Sequence, residues 1–238
     1  MNWAYPAIML LSIGTAALIS RRTQRSLALE PGERLAIALG AFCGGMIGAK
    51  LPFALADLSK LLSGQAFFEN GKTIVFGLVG GYFGVEIAKR MSSIRVRTGD
   101  SFAVPVAAAV AIGRLACFVG GCCYGIETRA SWGVDFGDGV RRHPTQIYEF
   151  AFHLTAAVVL AILLSKGRFR GQLIKLYIIV YLAYRFASEF IRPEPRLWLA
   201  LTGYQWAALA LVPVFGLLWW RDGRLIVREN RACVSATE

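Results

Sequence analysis

Residues 101–120 read SFAVPVAAAVAIGRLACFVG, and across these positions the only Asp, Glu, Lys or Arg is Arg114. A helix of about 20 residues is about 30 Å long, the thickness of a bilayer's hydrocarbon core. A helix that is apolar on every side must be surrounded by protein or by lipid. The same reading extends outward from this stretch. Further apolar runs occupy Trp3–Ser20, Arg34–Leu58, Thr73–Ala88, Pro144–Ser165, Gln172–Ile191 and Gly203–Trp220, the Thr73 run being short and glycine-rich. The fold expected is an all-α integral membrane protein of seven transmembrane helices. One transmembrane domain is read over residues 1–221, with a short, poorly ordered cytoplasmic tail over 222–238. Of 238 residues, 56% are hydrophobic, and the mean hydropathy is +0.52.

The chain carries 26 Lys and Arg against 15 Asp and Glu, a net charge of +11. On a soluble module such an excess points to nucleic acid. Here the cations fall between apolar runs, so the partner expected is the membrane, with no nucleic acid. Four groups of four alternate with poorer connections: Arg21, Arg22, Arg25 and Arg34; Lys89, Arg90, Arg95 and Arg97; Lys166, Arg168, Arg170 and Lys175; Arg221, Arg224, Arg228 and Arg231. By the positive-inside rule they mark the cytoplasmic face. The N-terminus is then outside, the C-terminus is cytoplasmic, and the number of spans is odd. The first run lacks a basic leader and a small-residue cleavage site, which reads as an uncleaved anchor. Ser59–Lys72, Gly121–His143 and Arg192–Thr202 are the outward connections, with Trp132, Trp198, Tyr204 and Trp206 placed for an interfacial aromatic belt.

Charge inside a span is costly, roughly 2.5–3.5 kcal/mol for a central Arg on insertion scales, and marks a candidate functional site. Arg114 lies late in the fourth run. Arg185 and Glu189 lie in the sixth, four residues apart and so on one helix face. Gln146, Tyr148 and Glu149 open the fifth, just after Arg141, Arg142 and His143, and Lys50 is in the second. In the topology above Arg114, Arg185, Glu189 and the start of the fifth run fall toward the outer face and can converge at one depth. The bland alternatives are that Arg185 and Glu189 neutralise each other and that Arg114 snorkels outward. Guanidinium groups hold phosphate through bidentate, charge-assisted hydrogen bonds. With no nucleotide motif in the chain, the phosphate expected is that of an anionic phospholipid. His143 is the natural proton carrier; it precedes Pro144, read as the first residue of a helix. His153 is expected to face a neighbouring helix.

The five cysteines make no disulfide framework. Cys43 and Cys117 fall within apolar runs, Cys233 in the tail, and Cys122 and Cys123 at the outer face, where oxidation can occur. They read either as small apolar residues or as a vicinal disulfide, redox or nucleophilic group. No metal site is expected, since the usual ligand spacings do not occur. Gly120-Gly-Cys-Cys-Tyr-Gly125 is glycine-rich without being a dinucleotide fingerprint.

At these residues the chain resembles the bacterial prolipoprotein diacylglyceryl transferases. The matching pieces are Gly113-Arg-Leu-Ala-Cys-Phe118 with its sequel to Gly125, Arg142-His-Pro-Thr-Gln-Ile-Tyr-Glu149, and Tyr184-Arg-Phe-Ala-Ser-Glu-Phe-Ile-Arg-Pro193. Ile47-Gly-Ala-Lys-Leu51, Gly77-Leu-Val-Gly-Gly81 and Leu201-Thr-Gly-Tyr-Gln205 match more weakly. The resemblance implies seven spans in the bacterial inner membrane and an active site toward the outer leaflet. It implies transfer of diacylglyceryl from phosphatidylglycerol to the lipobox cysteine of a prolipoprotein, releasing glycerol phosphate, with no cofactor and no metal. By the same resemblance Arg114, Arg185, His143 and Glu189 are catalytic. Gly113, Gly125, Gln146, Tyr148, Glu149, Arg192, Gln205 and Tyr5 contact the substrates. Apart from the resemblance, Cys117, Cys122 and Cys123 are candidates for a thiol role, receiving or relaying the group in a relative with another acceptor. The chain departs from the family where a His-Gly-Gly string is usual and Thr73-Ile-Val-Phe-Gly77 stands instead. It departs again where the usual Arg-x-Gly-Asn is Arg114-Leu-Ala-Cys117, and where Gly120-Gly-Cys122 replaces Asn-Gly-Glu. Two alternatives stay open: a relative that passes a phospholipid-derived group to another acceptor, and a lipid-binding membrane protein without chemistry.

Overall fold

The structure is a computed structural model that describes residues 3–25, 27–56 and 73–235, with side chains described as far as Ile226. The expected outward connection Ser59–Lys72 lies outside the described residues. Seven α-helices occur among those described: α1 (Ala4–Gln24), α2 (Pro31–Ala56), α3 (Ile74–Met91), α4 (Gly99–Val119), α5 (Thr145–Ser165), α6 (Leu173–Ser188) and α7 (Gly203–Ser235). Five of them, α1, α2, α4, α5 and α7, are long and apolar enough to cross a bilayer. The chain is therefore an all-α, multi-pass membrane protein. α3 has 18 residues and carries Glu86, Lys89 and Arg90, whereas α6 has 16 residues.

The chain divides into two compact units, Ser26–Arg97 and Met1–Arg25 with Thr98–Glu238. In the first unit α2 packs on α3. The reason lies in the sequence: Gly40, Gly44 and Gly48 recur every fourth residue on α2, as do Gly80 and Gly84 on α3. With no side chains between them, the two backbones touch. A Cβ added at Gly80 would stand 2.9 Å from Gly48 Cα, and one at Gly84 would stand 2.9 Å from Gly44 Cα. Small residues at such spacing are the usual means of close helix approach in lipid, where no hydrophobic force drives helices together. Thr73 caps α3 by accepting from Phe76 N at 3.3 Å, and its own N–H donates to Ala49 O of α2 at 2.9 Å.

In the second unit α4 packs against α1, α5 and α6, and α6 packs on α7. Ser12 Oγ donates to Ala109 O at 2.7 Å, and Thr23 Oγ1 donates to Ser101 O at 2.8 Å, tying α1 along α4. Asp100 at the start of α4 accepts from Gly171 N at 2.5 Å and Leu173 N at 3.0 Å, supplying a cap that the first turn of α6 lacks locally. The buried stripes follow helical spacing. On α4 it is Ala103, Ala107, Ala111 and Arg114; on α5, Gln146, Glu149, His153, Ala157 and Leu160; on α6, Ile174, Tyr177, Ile178, Tyr181 and Arg185. The stripes of α4 and α6 end, and that of α5 begins, in a polar group.

One local expectation is corrected. Pro144 is not the first helical residue: α5 begins at Thr145, and Pro144 precedes it with ψ 68°, its carbonyl accepting from Ile147 N at 2.9 Å. α7 continues from Trp220 to Ser235, through most of the segment read as a tail. Lys175 of α6 holds Asp222 at 2.7 Å, and Arg224 stacks its guanidinium 3.8 Å from the Trp220 ring centre, so helical contacts persist beyond the apolar run. The segment between α4 and α5 is ordered around a short antiparallel pair, Val134–Asp135 with Arg141–Arg142. Asp135 Oδ1 accepts from the backbone N–H of Gly137, Asp138 and Gly139 and closes its turn.

Candidate functional site

The polar ends of the three stripes meet around Glu149, which is completely buried near the start of α5. Arg114 of α4 pairs with its Oε2 through Nη2. Arg185 Nη1 of α6 donates to Oε1 at 2.9 Å, and Arg192 Nη2, just beyond α6, donates to the same oxygen at 2.7 Å. The second guanidinium nitrogen of Arg185 reaches Glu189 Oε2 at 2.8 Å, the pair anticipated four residues apart. Three guanidiniums thus surround two carboxylates, and one positive charge is left over. An unbalanced buried charge is unfavourable unless something negative answers it.

The donors are also incompletely used. Nε of Arg114, Arg185 and Arg192 are all buried, and none has a hydrogen-bond acceptor among the described residues. Three buried N–H groups without acceptors, beside a surplus positive charge, match the needs of a phosphate group. Glu189 is fixed from its other side by Thr202 Oγ1, which donates to Oε1 at 3.1 Å. Gln205 of α7 accepts from Thr202 N at 2.9 Å and donates to Phe186 O at 3.2 Å. The Tyr204 ring lies under the Arg185 guanidinium at 4.5 Å. Sequence reasoning assigned no role to Thr202, although it stands in the weakly matching string 201–205.

The segment after α4 supplies the facing wall. Gly120 caps α4 and Gly121 follows with φ +64°. Cys122 N donates to Cys117 O and Gly121 N to Phe118 O, both at 3.1 Å, the hydrogen-bond pattern of a Schellman turn. This turn returns Cys122 and Cys123 to the helix end that bears Cys117, so the three Sγ atoms all lie within 4.8 Å of one another. All three thiols are free. Cys117 Sγ is 3.9 Å from Arg114 Nη1. The Cys123 thiol is held below its ordinary pKa by a hydrogen bond from Cys117, by Arg114 and by Arg192, whereas burial pushes that of Cys122 up. Gln146 donates to Cys122 O at 2.6 Å and Thr145 to Cys123 O at 2.7 Å, anchoring the turn on α5.

His143 does not join the guanidiniums directly; its Nδ1 is 3.2 Å from Tyr148 Oη, which also accepts from Trp132 Nε1 at 2.8 Å. Gly125 stands where strands of chain cross: a Cβ there would meet Ile191 O at 2.6 Å and His143 Cβ at 2.8 Å. Gly113 faces Ser12 of α1, and the Tyr5 ring packs over Gly120, where a Cβ would stand 3.0 Å from Tyr5 Cδ2. His153, completely buried one turn below Glu149, has its Nδ1 2.8 Å from Tyr177 Oη, as expected of a residue facing a neighbouring helix.

Comparison with known proteins gives a consistent result. Residues 3–221 match the prolipoprotein diacylglyceryl transferase family. A phosphatidylglycerol–prolipoprotein diacylglyceryl transferase of Geobacter sulfurreducens is 32% identical over 89% of this chain and 86% of its own length. Its counterpart from Dehalococcoides mccartyi is 31% identical over 87% and 84%. That of Clostridium tetani is 28% identical over 82% of each chain.

Proposed function

The chain belongs to the prolipoprotein diacylglyceryl transferase family, and from that premise we propose that it transfers diacylglyceryl from phosphatidylglycerol to the lipobox cysteine of a prolipoprotein. The observation that carries the reading is the three buried guanidiniums gathered on Glu149, each with an Nε–H lacking an acceptor among the described residues. The lipid phosphate takes these donors and answers the surplus positive charge. The acceptor thiol, once its proton is lost, attacks the glycerol carbon that bears the phosphate oxygen. A carbon–sulfur bond forms, the carbon–oxygen bond breaks, and glycerol phosphate departs with the electron pair. Charge grows on the departing group, and preorganised guanidiniums stabilise that charge more than they stabilise the bound lipid.

Glu149 positions all three arginines, and Glu189 with Thr202 and Gln205 fixes Arg185 from behind. His143, bonded to Tyr148, is the candidate to take the acceptor's proton. The protein's own thiols are not intermediates in this scheme. A thioether formed on one of them would have to expel a thiolate, a poorer leaving group than a phosphate ester, to pass the group on.

In this reading seven helices cross the bacterial inner membrane, with the N-terminus outside, the C-terminus cytoplasmic and the guanidinium cluster toward the outer leaflet. Support comes from the alternating Lys and Arg groups and from the convergence of Arg114, Glu149 and Arg185 at one end of their helices. The test is an assay of purified protein in phosphatidylglycerol micelles with a lipobox peptide, following glycerol phosphate. Release that requires the peptide's cysteine is expected. Release independent of it points to another acceptor, and binding without release points to a protein that only holds lipid.

A further inference from the structure

The three-thiol group at the end of α4 has no role in the transfer chemistry, yet its geometry is specific. Sulfurs bound to one metal ion at about 2.3 Å stand about 3.8–4.0 Å from one another in trigonal or tetrahedral arrangement. Here the three Sγ atoms lie within 4.8 Å of one another, so a movement of less than about 1 Å in flexible side chains brings them onto one ion. The arrangement is built rather than incidental. The Schellman turn at Gly120 and Gly121 folds the chain back, and Cys123 keeps a left-handed φ of +62°, uncommon for a residue with a side chain. Thr145 and Gln146 of α5 hold the carbonyls of both returning cysteines.

The electrostatics favour a soft cation held by thiolates. The C-terminal end of a helix carries partial negative charge, and α4 ends at the site. Three thiolates around a divalent ion leave one negative charge, and around a monovalent ion two. The Arg114 guanidinium, 3.9 Å from Cys117 Sγ, favours the thiolate form at the site. Cys122 and Cys123 are exposed, which gives an ion an entry path and leaves a coordination position for solvent. Sulfur-only ligation selects thiophilic metals over Mg²⁺ or Ca²⁺.

We propose that Cys117, Cys122 and Cys123 form a binding site for a single thiophilic d¹⁰ cation, Zn²⁺ or Cu⁺, at the C-terminal end of α4. Binding displaces protons from the cysteines to solvent and involves no change of oxidation state. Because Arg114 lies 3.9 Å from Cys117 Sγ and also pairs with Glu149, the occupied site adjoins the guanidinium cluster. The proposal holds whether or not the chain transfers diacylglyceryl.

The test uses the full chain, reduced and anaerobic in detergent, carrying Cys43→Ser and Cys233→Ser so that the trio supplies the only thiols. Titration with Zn²⁺ and, separately, with Cu⁺ against a chromophoric chelator is expected to give one equivalent for at least one of them, and the tighter ion identifies the metal. Co²⁺ should produce sulfur-to-metal charge-transfer absorption. Each of Cys117→Ser, Cys122→Ser and Cys123→Ser should lose that absorption and the stoichiometric binding. X-ray absorption of the loaded parent protein, which needs no further variant to fold, should show three sulfurs at about 2.3 Å. Absence of stoichiometric binding in the parent, or a first shell with fewer than three sulfurs, overturns the proposal.

Discussion

Arg192 Nη2 lies 2.7 Å from Glu149 Oε1, joining the extended segment after α6 to the N-terminal part of α5 across 43 residues of sequence. That oxygen also accepts from Arg185 at 2.9 Å, and Arg114 pairs with the other oxygen. A single carboxylate therefore holds three guanidiniums in register. If it were removed, three positive charges would face Glu189 alone in a buried site.

Glu149→Gln keeps the shape and removes the charge. It should abolish transfer and lower stability by roughly 3–5 kcal/mol, the range for breaking one side of a buried ion pair. Thermal unfolding in detergent, with the exposed Glu127→Gln as control, checks this; an unchanged midpoint for Glu149→Gln would remove Glu149 as the organising group.

Arg114→Ala and Arg185→Ala should abolish glycerol phosphate release while the protein still accumulates in the membrane. The lysine replacements keep charge but lose the planar fork and the Nε–H donor. They should lower the transfer rate by roughly 10²–10³-fold, as losing one transition-state donor does elsewhere. Full activity in both lysine variants would mean that charge alone, not the fork, is used.

The α2–α3 contact should be intolerant of any side chain. Gly84→Ala places its Cβ 2.9 Å from Gly44 Cα, with backbone on the other side, and should cost about 1–3 kcal/mol. Gly14→Ala, where nothing lies within 4 Å, should be neutral or slightly stabilising on thermal unfolding.

Cys123 should react as a thiolate at lower pH than an ordinary cysteine, because Cys117 donates to it and Arg114 and Arg192 favour its anion. In a Cys122→Ser background, the midpoint of its alkylation rate against pH should fall below the usual thiol value of about 8.5. Cys117→Ala removes the leading cause and should shift the midpoint up. A midpoint that does not move with Cys117 would leave that hydrogen bond without effect.

Orientation is open to labelling in intact cells. A membrane-impermeant maleimide added outside should modify Cys122 and Cys123, whereas Cys233 should react only after permeabilisation. The reverse pattern would invert the topology drawn from the Lys and Arg groups.

Sequence alone determined the apolar runs, their lengths and the charges stranded within them. These are local properties: hydropathy over about 20 residues reports the need for lipid or burial, and a spacing of four places Arg185 and Glu189 on one face. For the same reason the sequence picked out Arg114, Glu149 and Arg185 as candidates for one site. Only the tertiary structure decided that Glu149 is their common partner, that Arg192 joins them, and that Thr202 fixes Glu189. Those pairings span up to 43 residues and depend on how each helix is rotated against its neighbours, which no local periodicity encodes. The thiol group shows the same division. The spacing of Cys117, Cys122 and Cys123 matched no usual ligand pattern, because a left-handed glycine turn, not helical periodicity, brings the three sulfurs together.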